Sequence, residues 1–133
     1  MATPYRVLVV EDDENLGQIM AEVLTAAGYE VQTADDGLHG FMMYVQQQPE
    51  VVLTDIQMPE LDGLEMMRCI RVINPKVRTM YITGALNRYR EALIKESKEY
   101  GALVLDKPFS RNDLLQSMDG WLSGRLENPI HGH

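Results

Sequence analysis

Apolar positions along this chain fall into two alternating rhythms. Tyr5 to Val10 is a short, largely β-branched run that stops at three acids, Glu11, Asp12 and Asp13, as suits a strand buried on both faces. From Asn15 the period lengthens. Leu16, Ile19, Met20, Val23, Leu24 and Ala27 recur at helical spacing, and Gly28 is placed to end the helix. Glu30 to Ala34 reads as a second strand. Leu38, Phe41, Met42 and Val45 mark a helix that finishes before Pro49, and Val51, Val52 and Leu53 form a third strand ending on Thr54 and Asp55.

The alternation continues. A loop through Pro59 leads to a helix with Leu64, Met67 and Ile70, which stops at Asn74-Pro75, and residues 78–82 make a fourth strand. Leu86, Tyr89, Leu93 and Tyr100 lie along one stripe of a charged helix running from Leu86 to Tyr100. Leu103 to Leu105 is a fifth strand, and a last helix presents Leu114, Leu115, Met118, Trp121, Leu122 and Leu126. Five strands alternating with five helices predict a (βα)5 doubly wound α/β domain, a parallel sheet covered by helices on both faces in three layers. Met20, Met42, Met67 and Met118 fall on apolar helix faces and are expected in the core. Trp121 is expected to pack in the last helix, Cys69 to be partly buried, His39 to be exposed, and Asp13 to solvate or cap the first helix rather than bind a metal.

Composition narrows the class. The 133 residues suffice for one domain with one substantial core, expected over residues 1–126. Residues 127–133, with Pro129 and His-Gly-His, read as a disordered tail or a cloning scar. The net charge of −8 is unevenly spread: residues 1–67 hold thirteen acids and one base, Arg6, whereas residues 68–133 hold seven acids and eleven bases. Phosphate backbones select basic patches, so direct nucleic-acid binding is not expected. The single cysteine forms neither a disulfide nor a metal cluster. No apolar run approaches the roughly 18 residues of a membrane span, and Met1-Ala2-Thr3-Pro4 does not open like a signal peptide. A cytoplasmic location is the expectation.

Candidate chemistry lies at the strand ends. In open α/β sheets ligands bind beyond the carboxyl ends of the strands, where this chain carries Glu11 and Asp12, Asp55, Thr83 and Lys107. Two carboxylates about 4 Å apart repel by roughly 4 kcal/mol at an effective dielectric of about 20, a conflict that a divalent cation removes. Oxygen-only ligation without nearby His or Cys suits Mg²⁺. A carboxylate can form an acyl phosphate by attack on phosphorus, and a metal and a lysine neutralise the transferring group. Asp55 is the best nucleophile candidate, and the turn Ile56-Gln57-Met58-Pro59 after it is able to bring a backbone carbonyl to the metal.

These residues resemble the receiver domains of two-component response regulators, with similarity over about residues 5–126. The motifs are Val9-Val10-Glu11-Asp12-Asp13, then Leu53-Thr54-Asp55-Ile56-Gln57-Met58-Pro59 with Leu61-Asp62-Gly63, then Ile82-Thr83-Gly84-Ala85, and Asp106-Lys107-Pro108-Phe109. The resemblance implies a flavodoxin-like strand order 2-1-3-4-5. It implies Asp55 as phosphoacceptor from a histidine kinase or a histidine phosphotransfer protein, and Mg²⁺ held by Asp12, Asp55 and the Gln57 carbonyl with Glu11 acting largely through water. Thr83 and Lys107 would bind phosphoryl oxygens, and a cis Lys107-Pro108 bond is common in the family. Three departures stand out: Val104 replaces a frequent aromatic switch residue, Asp106 replaces a small or apolar residue, and the stretch from Thr83 to Lys107 is about two residues longer than usual.

The function expected is a phosphorylation-controlled switch rather than an enzyme. It catalyses only its own phosphorylation and dephosphorylation, and controls an output through the surface of the fourth helix, fifth strand and fifth helix, where a homodimer could also form. Two alternatives are a phosphorylation-independent pseudo-receiver and a Mg²⁺-dependent aspartyl-phosphate phosphohydrolase. For the latter, Gln57 stands where a second acid/base carboxylate would be wanted. The chain reads either as a stand-alone regulator or as the receiver part of a longer protein.

Overall fold

The computed structural model describes residues 4–124. Its strands are β1 (Arg6–Val10), β2 (Glu30–Ala34), β3 (Val51–Asp55), β4 (Arg78–Thr83) and β5 (Leu103–Asp106). They alternate with the helices α1 (Glu14–Ala26), α2 (Gly37–Gln47), α3 (Gly63–Ile73), α4 (Arg90–Tyr100) and α5 (Arg111–Leu122). All strand pairs are parallel and the order is β2-β1-β3-β4-β5. The predicted (βα)5 sheet and the 2-1-3-4-5 order are both present. Because the chain turns back across β1 to reach β3, the switch point of the sheet falls between these two strands. Their carboxyl ends carry Glu11, Asp12 and Asp55.

Every residue of β3 is buried, which explains why the central strands read as continuous apolar runs rather than alternating ones. Two cores form, one on each face of the sheet. Leu8, Val10, Val52 and Tyr81 pack with Tyr44, Met66, Ile70 and Leu93 from α2, α3 and α4. Val9, Leu53, Met80 and Ile82 pack with Met20, Leu24, Leu114 and Met118 from α1 and α5. Each of these side chains contributes about 1.5–3 kcal/mol by leaving water. Trp121 packs against the second core as expected.

Side chains start four helices: Asp13 accepts from Leu16 N–H, Asp36 from His39 N–H, Asp62 from Glu65 N–H and Ser110 from Asp113 N–H. Each satisfies an otherwise orphaned donor of the first turn. The helix α4 has no such cap.

Three expectations need correction. Met42 is not in the core but is 53% exposed, and Leu38 and Val45 are about half exposed with it. The buried face of α2 is instead Gly37, Gly40 and Tyr44. The glycines let the helix approach so closely that a Cβ on Gly40 would lie 2.8 Å from Val10 and from Met66, so the neighbouring apolar stripe is turned outward. Cys69 is exposed, since the buried positions of α3 are Gly63, Met66, Met67, Ile70 and Arg71. Finally, α4 begins at Arg90 rather than Leu86. Arg88 N–H and Tyr89 N–H reach back only three residues, to Ala85 and Leu86 carbonyls, so the segment forms a turn while Leu86 and Tyr89 still touch the core. Leu126 and the tail 127–133 lie outside the described residues. Among the described residues, no helix is long and apolar enough to cross a membrane.

Candidate functional site

The carboxyl ends of β1, β3, β4 and β5 bring the predicted residues to one edge. Asp55 closes β3 and is only 8% exposed. Its Oδ1 accepts from Ile56 N–H at 2.7 Å, and its Oδ2 faces Lys107 Nζ at 3.3 Å. Glu11, just beyond β1, is buried, and Lys107 Nζ lies 2.9 Å from its Oε1. Its other oxygen, Oε2, accepts from Asp13 N–H at 3.2 Å. Asp12 is exposed. Oxygens of Glu11, Asp12 and Asp55 all come within 4.8 Å of one another. Three hard oxygen donors at that spacing, without a nitrogen or sulfur ligand, fit Mg²⁺ and do not suit a soft metal.

The electrostatics of the pocket follow from burial. Loss of water pushes the Glu11 carboxyl up to about 7, although the Lys107 ammonium and the Asp13 N–H pull it down. Burial opposes the charge on Lys107, and Glu11 and Asp55 outweigh it, holding the ammonium above its ordinary range. A bound cation would compete with that ammonium for the same carboxylates.

Thr83 ends β4 and is 1% exposed. Its Oγ1 accepts from Ala85 N–H at 2.9 Å, which leaves the hydroxyl proton available. The Thr83 carbonyl accepts from Lys107 N–H at 2.8 Å, fixing the two residues beside each other across β4 and β5. The Lys107-Pro108 peptide is cis. Gln57 is exposed in the loop after β3. Asp106 pairs in register with Thr83 and is exposed, and Val104, 8% exposed, lies opposite Tyr81.

The loop after β3 is pinned by two glycines. A Cβ on Gly63 would lie 2.1 Å from the Asp55 carbonyl oxygen, and one on Gly37 2.0 Å from that of Leu61. Sequence reading also missed a buried polar group under α4. Arg71 Nη2 lies 2.6 Å from Glu96 Oε1, and the Tyr81 hydroxyl donates to the same oxygen. A tyrosine and an arginine at core-facing positions of β4 and α3 were the only sequence signal for it.

The chain matches the response regulator receiver domain family over residues 7–119. It is 35% identical over 121 residues to the response regulator receiver protein CpdR of Brucella abortus, covering 88% of this chain and 96% of the relative. It is 30% identical over 119 residues to the sporulation initiation phosphotransferase F of Bacillus subtilis, covering 88% and 93%. The chemotaxis response regulator CheY4 of Vibrio cholerae superposes with a TM-score of 0.78 at 25% identity, over 90% of this chain and 99% of that one. The response regulator TrrA of Thermotoga maritima, solved in complex with Mg(2+)-BeF, gives 0.76 at 27% identity, over 88% and 98%. With the family match running from β1 into α5, the chain belongs to the response regulator receivers, the phosphoacceptor modules of two-component signalling.

Proposed function

We propose that Asp55 is the phosphoacceptor, with Glu11, Asp12, Asp55 and the Gln57 carbonyl holding Mg²⁺ and Thr83 and Lys107 binding the phosphoryl oxygens. The observation that supports this best is the buried Asp55 carboxylate lying 3.3 Å from Lys107 Nζ, with two further carboxylates beside it. One Asp55 oxygen attacks phosphorus. The P–O bond forms as the P–N bond to a donor phosphohistidine breaks, and the imidazole leaves with the electron pair and takes a proton from solvent. Lys107, already drawn into the pocket, follows the new negative charge, and the Thr83 hydroxyl donates its free proton to a phosphoryl oxygen. When bound, Mg²⁺ supplies charge neutralisation for the carboxylates and the transferring group. That the Thermotoga maritima regulator was solved in complex with Mg(2+)-BeF supports Mg²⁺ as the cation.

The donor in this reading is a sensor histidine kinase or a histidine phosphotransfer protein, met by this chain in the cytoplasm. Chemistry is confined to the domain's own phosphorylation and dephosphorylation, because Gln57 leaves no second carboxylate two residues after Asp55 to serve an external substrate. The output surface comprises α4, β5 and α5, where Arg88, Arg90, Lys95 and Lys98 crowd around one helix and a homodimer would form. Incubation of the chain with Mg²⁺ and acetyl phosphate should add one acid-stable, base-labile phosphoryl group, detected by intact mass. An Asp55→Asn protein modified at the same rate would sink the assignment.

A further inference from the structure

The helix that follows Thr83 is the least constrained by ordinary means. Among the described helices α4 alone lacks a side-chain N-cap, and only Leu93 and Ser97 of its residues are buried. Neither capping nor apolar packing fixes its register well. A buried polar network does. Glu96 of α4 reaches inward, where Arg71 of α3 pairs with its Oε1 at 2.6 Å and the Tyr81 hydroxyl of β4 donates to the same atom. Arg71 Nη2 also donates to Thr79 Oγ1 at 3.4 Å, and its guanidinium lies 3.8 Å above the Tyr100 ring at the end of α4.

Strand alternation gives this network its bearing on the site. Thr79, Tyr81 and Thr83 occupy every second position of β4 and so share one face. The same face carries Thr79, the second partner of Arg71, Tyr81, the second partner of Glu96, and the Thr83 hydroxyl. Only residues 84–89 separate Thr83 from α4, so wherever the network holds α4 it also limits where that segment can go. Arg71 Nε and Nη1 have no hydrogen-bond partner among the described residues, so the network closes chiefly through Glu96. Buried ion pairs contribute little net stability compared with apolar residues of the same size, and their best-attested use is to specify register. Position 104 on β5 is valine, and the aromatic side chain stands one strand away, opposite it, tied to α4.

We infer that Tyr81, Glu96 and Arg71 are positioning residues for Thr83: they latch α4 to β4 and α3 and so hold the β4–α4 segment in the arrangement in which Thr83 Oγ1 is turned to the Ala85 N–H. This rests on the assignment of Thr83 as a phosphoryl ligand. Loosening the latch removes part of the cost of drawing Thr83 toward a phosphoryl group, and leaves the metal-binding carboxylates untouched.

The test uses the full chain and three variants: Tyr81→Phe, which removes one hydroxyl; Glu96→Gln, which keeps the shape; and the paired change Arg71→Met with Glu96→Leu, which replaces the ion pair by apolar volume. Amide hydrogen exchange over residues 84–100 should quicken in each. Phosphorylation by acetyl phosphate at saturating Mg²⁺ should accelerate by about three- to tenfold, while Mg²⁺ affinity measured by calorimetry stays within about twofold, a split that general destabilisation would not produce. Unchanged exchange, or unchanged or slower phosphorylation, in folded Tyr81→Phe and in the paired variant overturns the proposal. A wild-type chain that takes up no phosphoryl group overturns the receiver chemistry instead, and the latch is then judged on exchange over residues 84–100 alone.

Discussion

Lys107 Nζ stands 2.9 Å from Glu11 Oε1, and the Glu11 side chain is almost wholly shielded from water. The ammonium thus neutralises a carboxylate that the fold buries. Removing it should push the buried Glu11 carboxyl still further up, so that it must take a proton on folding, a change costing about 1–3 kcal/mol at a pair that retains some solvent contact. Lys107→Met is therefore expected to lower the urea midpoint of the metal-free chain, and Glu11→Gln added to it should recover most of the loss. Millimolar Mg²⁺ should restore the single variant as well, because a cation takes over the role of the ammonium. Equal destabilisation of the single and double variants would contradict the coupling.

The raised Glu11 carboxyl has a definite pH signature. Its folded pKa of about 7 lies above the ordinary 4.5, so the folded chain holds a proton that the unfolded chain has lost. Stability from this group is therefore complete below about pH 4.5 and is lost as pH rises to about 7, by on the order of 3 kcal/mol. Metal-free chain should show this decline in denaturant titrations, and Glu11→Gln should flatten it. In the proposed site Mg²⁺ would favour the ionised carboxylate, so its stabilising effect should grow across the same window. A Glu11→Gln variant with the wild-type pH slope would refute the assignment.

The sheet and the site edge were legible in sequence for one physical reason. Runs such as Val51 to Leu53 are apolar because both faces of the strand are covered, and each stops abruptly where the chain emerges at Asp55 or Glu11. The helices were less legible. In α2 the faces were confused because glycine carries no hydrophobic signal, yet Gly37 and Gly40 are the residues that approach the sheet while Met42 faces water. The start of α4 was misplaced because Leu86 and Tyr89 keep helical spacing within a turn. The Arg71–Glu96–Tyr81 contact joins three separate elements, so no local pattern announces it.

Arg6, the one base of the first 67 residues, serves the far end of α2. Its Nη1 donates to the Gln47 carbonyl at 2.6 Å and its Nη2 to the Gln48 carbonyl at 3.0 Å, beside a Gln48 backbone with φ of 44°. A cation here satisfies orphaned carbonyls and complements the helix dipole. Arg6→Ala should destabilise by about 1 kcal/mol, with little effect on Mg²⁺ binding. Gln48→Gly should stabilise by about 0.5–1 kcal/mol, since glycine adopts the left-handed conformation without strain. Thermal melts of the two single variants, shifting in opposite directions, would bear this out, and a destabilised Gln48→Gly would contradict it.

Gly63 joins the loop after β3, the strand that ends on Asp55, to α3 with no room to spare. An added Cβ would meet backbone, the Asp55 carbonyl oxygen at 2.1 Å and the Ile56 Cα at 3.1 Å, and backbone cannot rotate out of the way as a side-chain tip can. The Gly63 N–H also donates to the Ile56 carbonyl at 2.9 Å, so the loop is held from both sides. Gly63→Ala must push α3 off the end of β3 or drag Asp55 with it, at a cost of about 2–4 kcal/mol. Its phosphorylation rate at saturating Mg²⁺ should fall at least as steeply as its stability, because Asp55 Oδ1 is oriented by the adjacent Ile56 N–H. Gly28→Ala is the control. It meets nothing within 4 Å, has a φ of 101° far from the site, and should lose stability while phosphorylating at the wild-type rate. Equal phosphorylation rates in the two folded variants would show that the Gly63 contact does not govern the pocket.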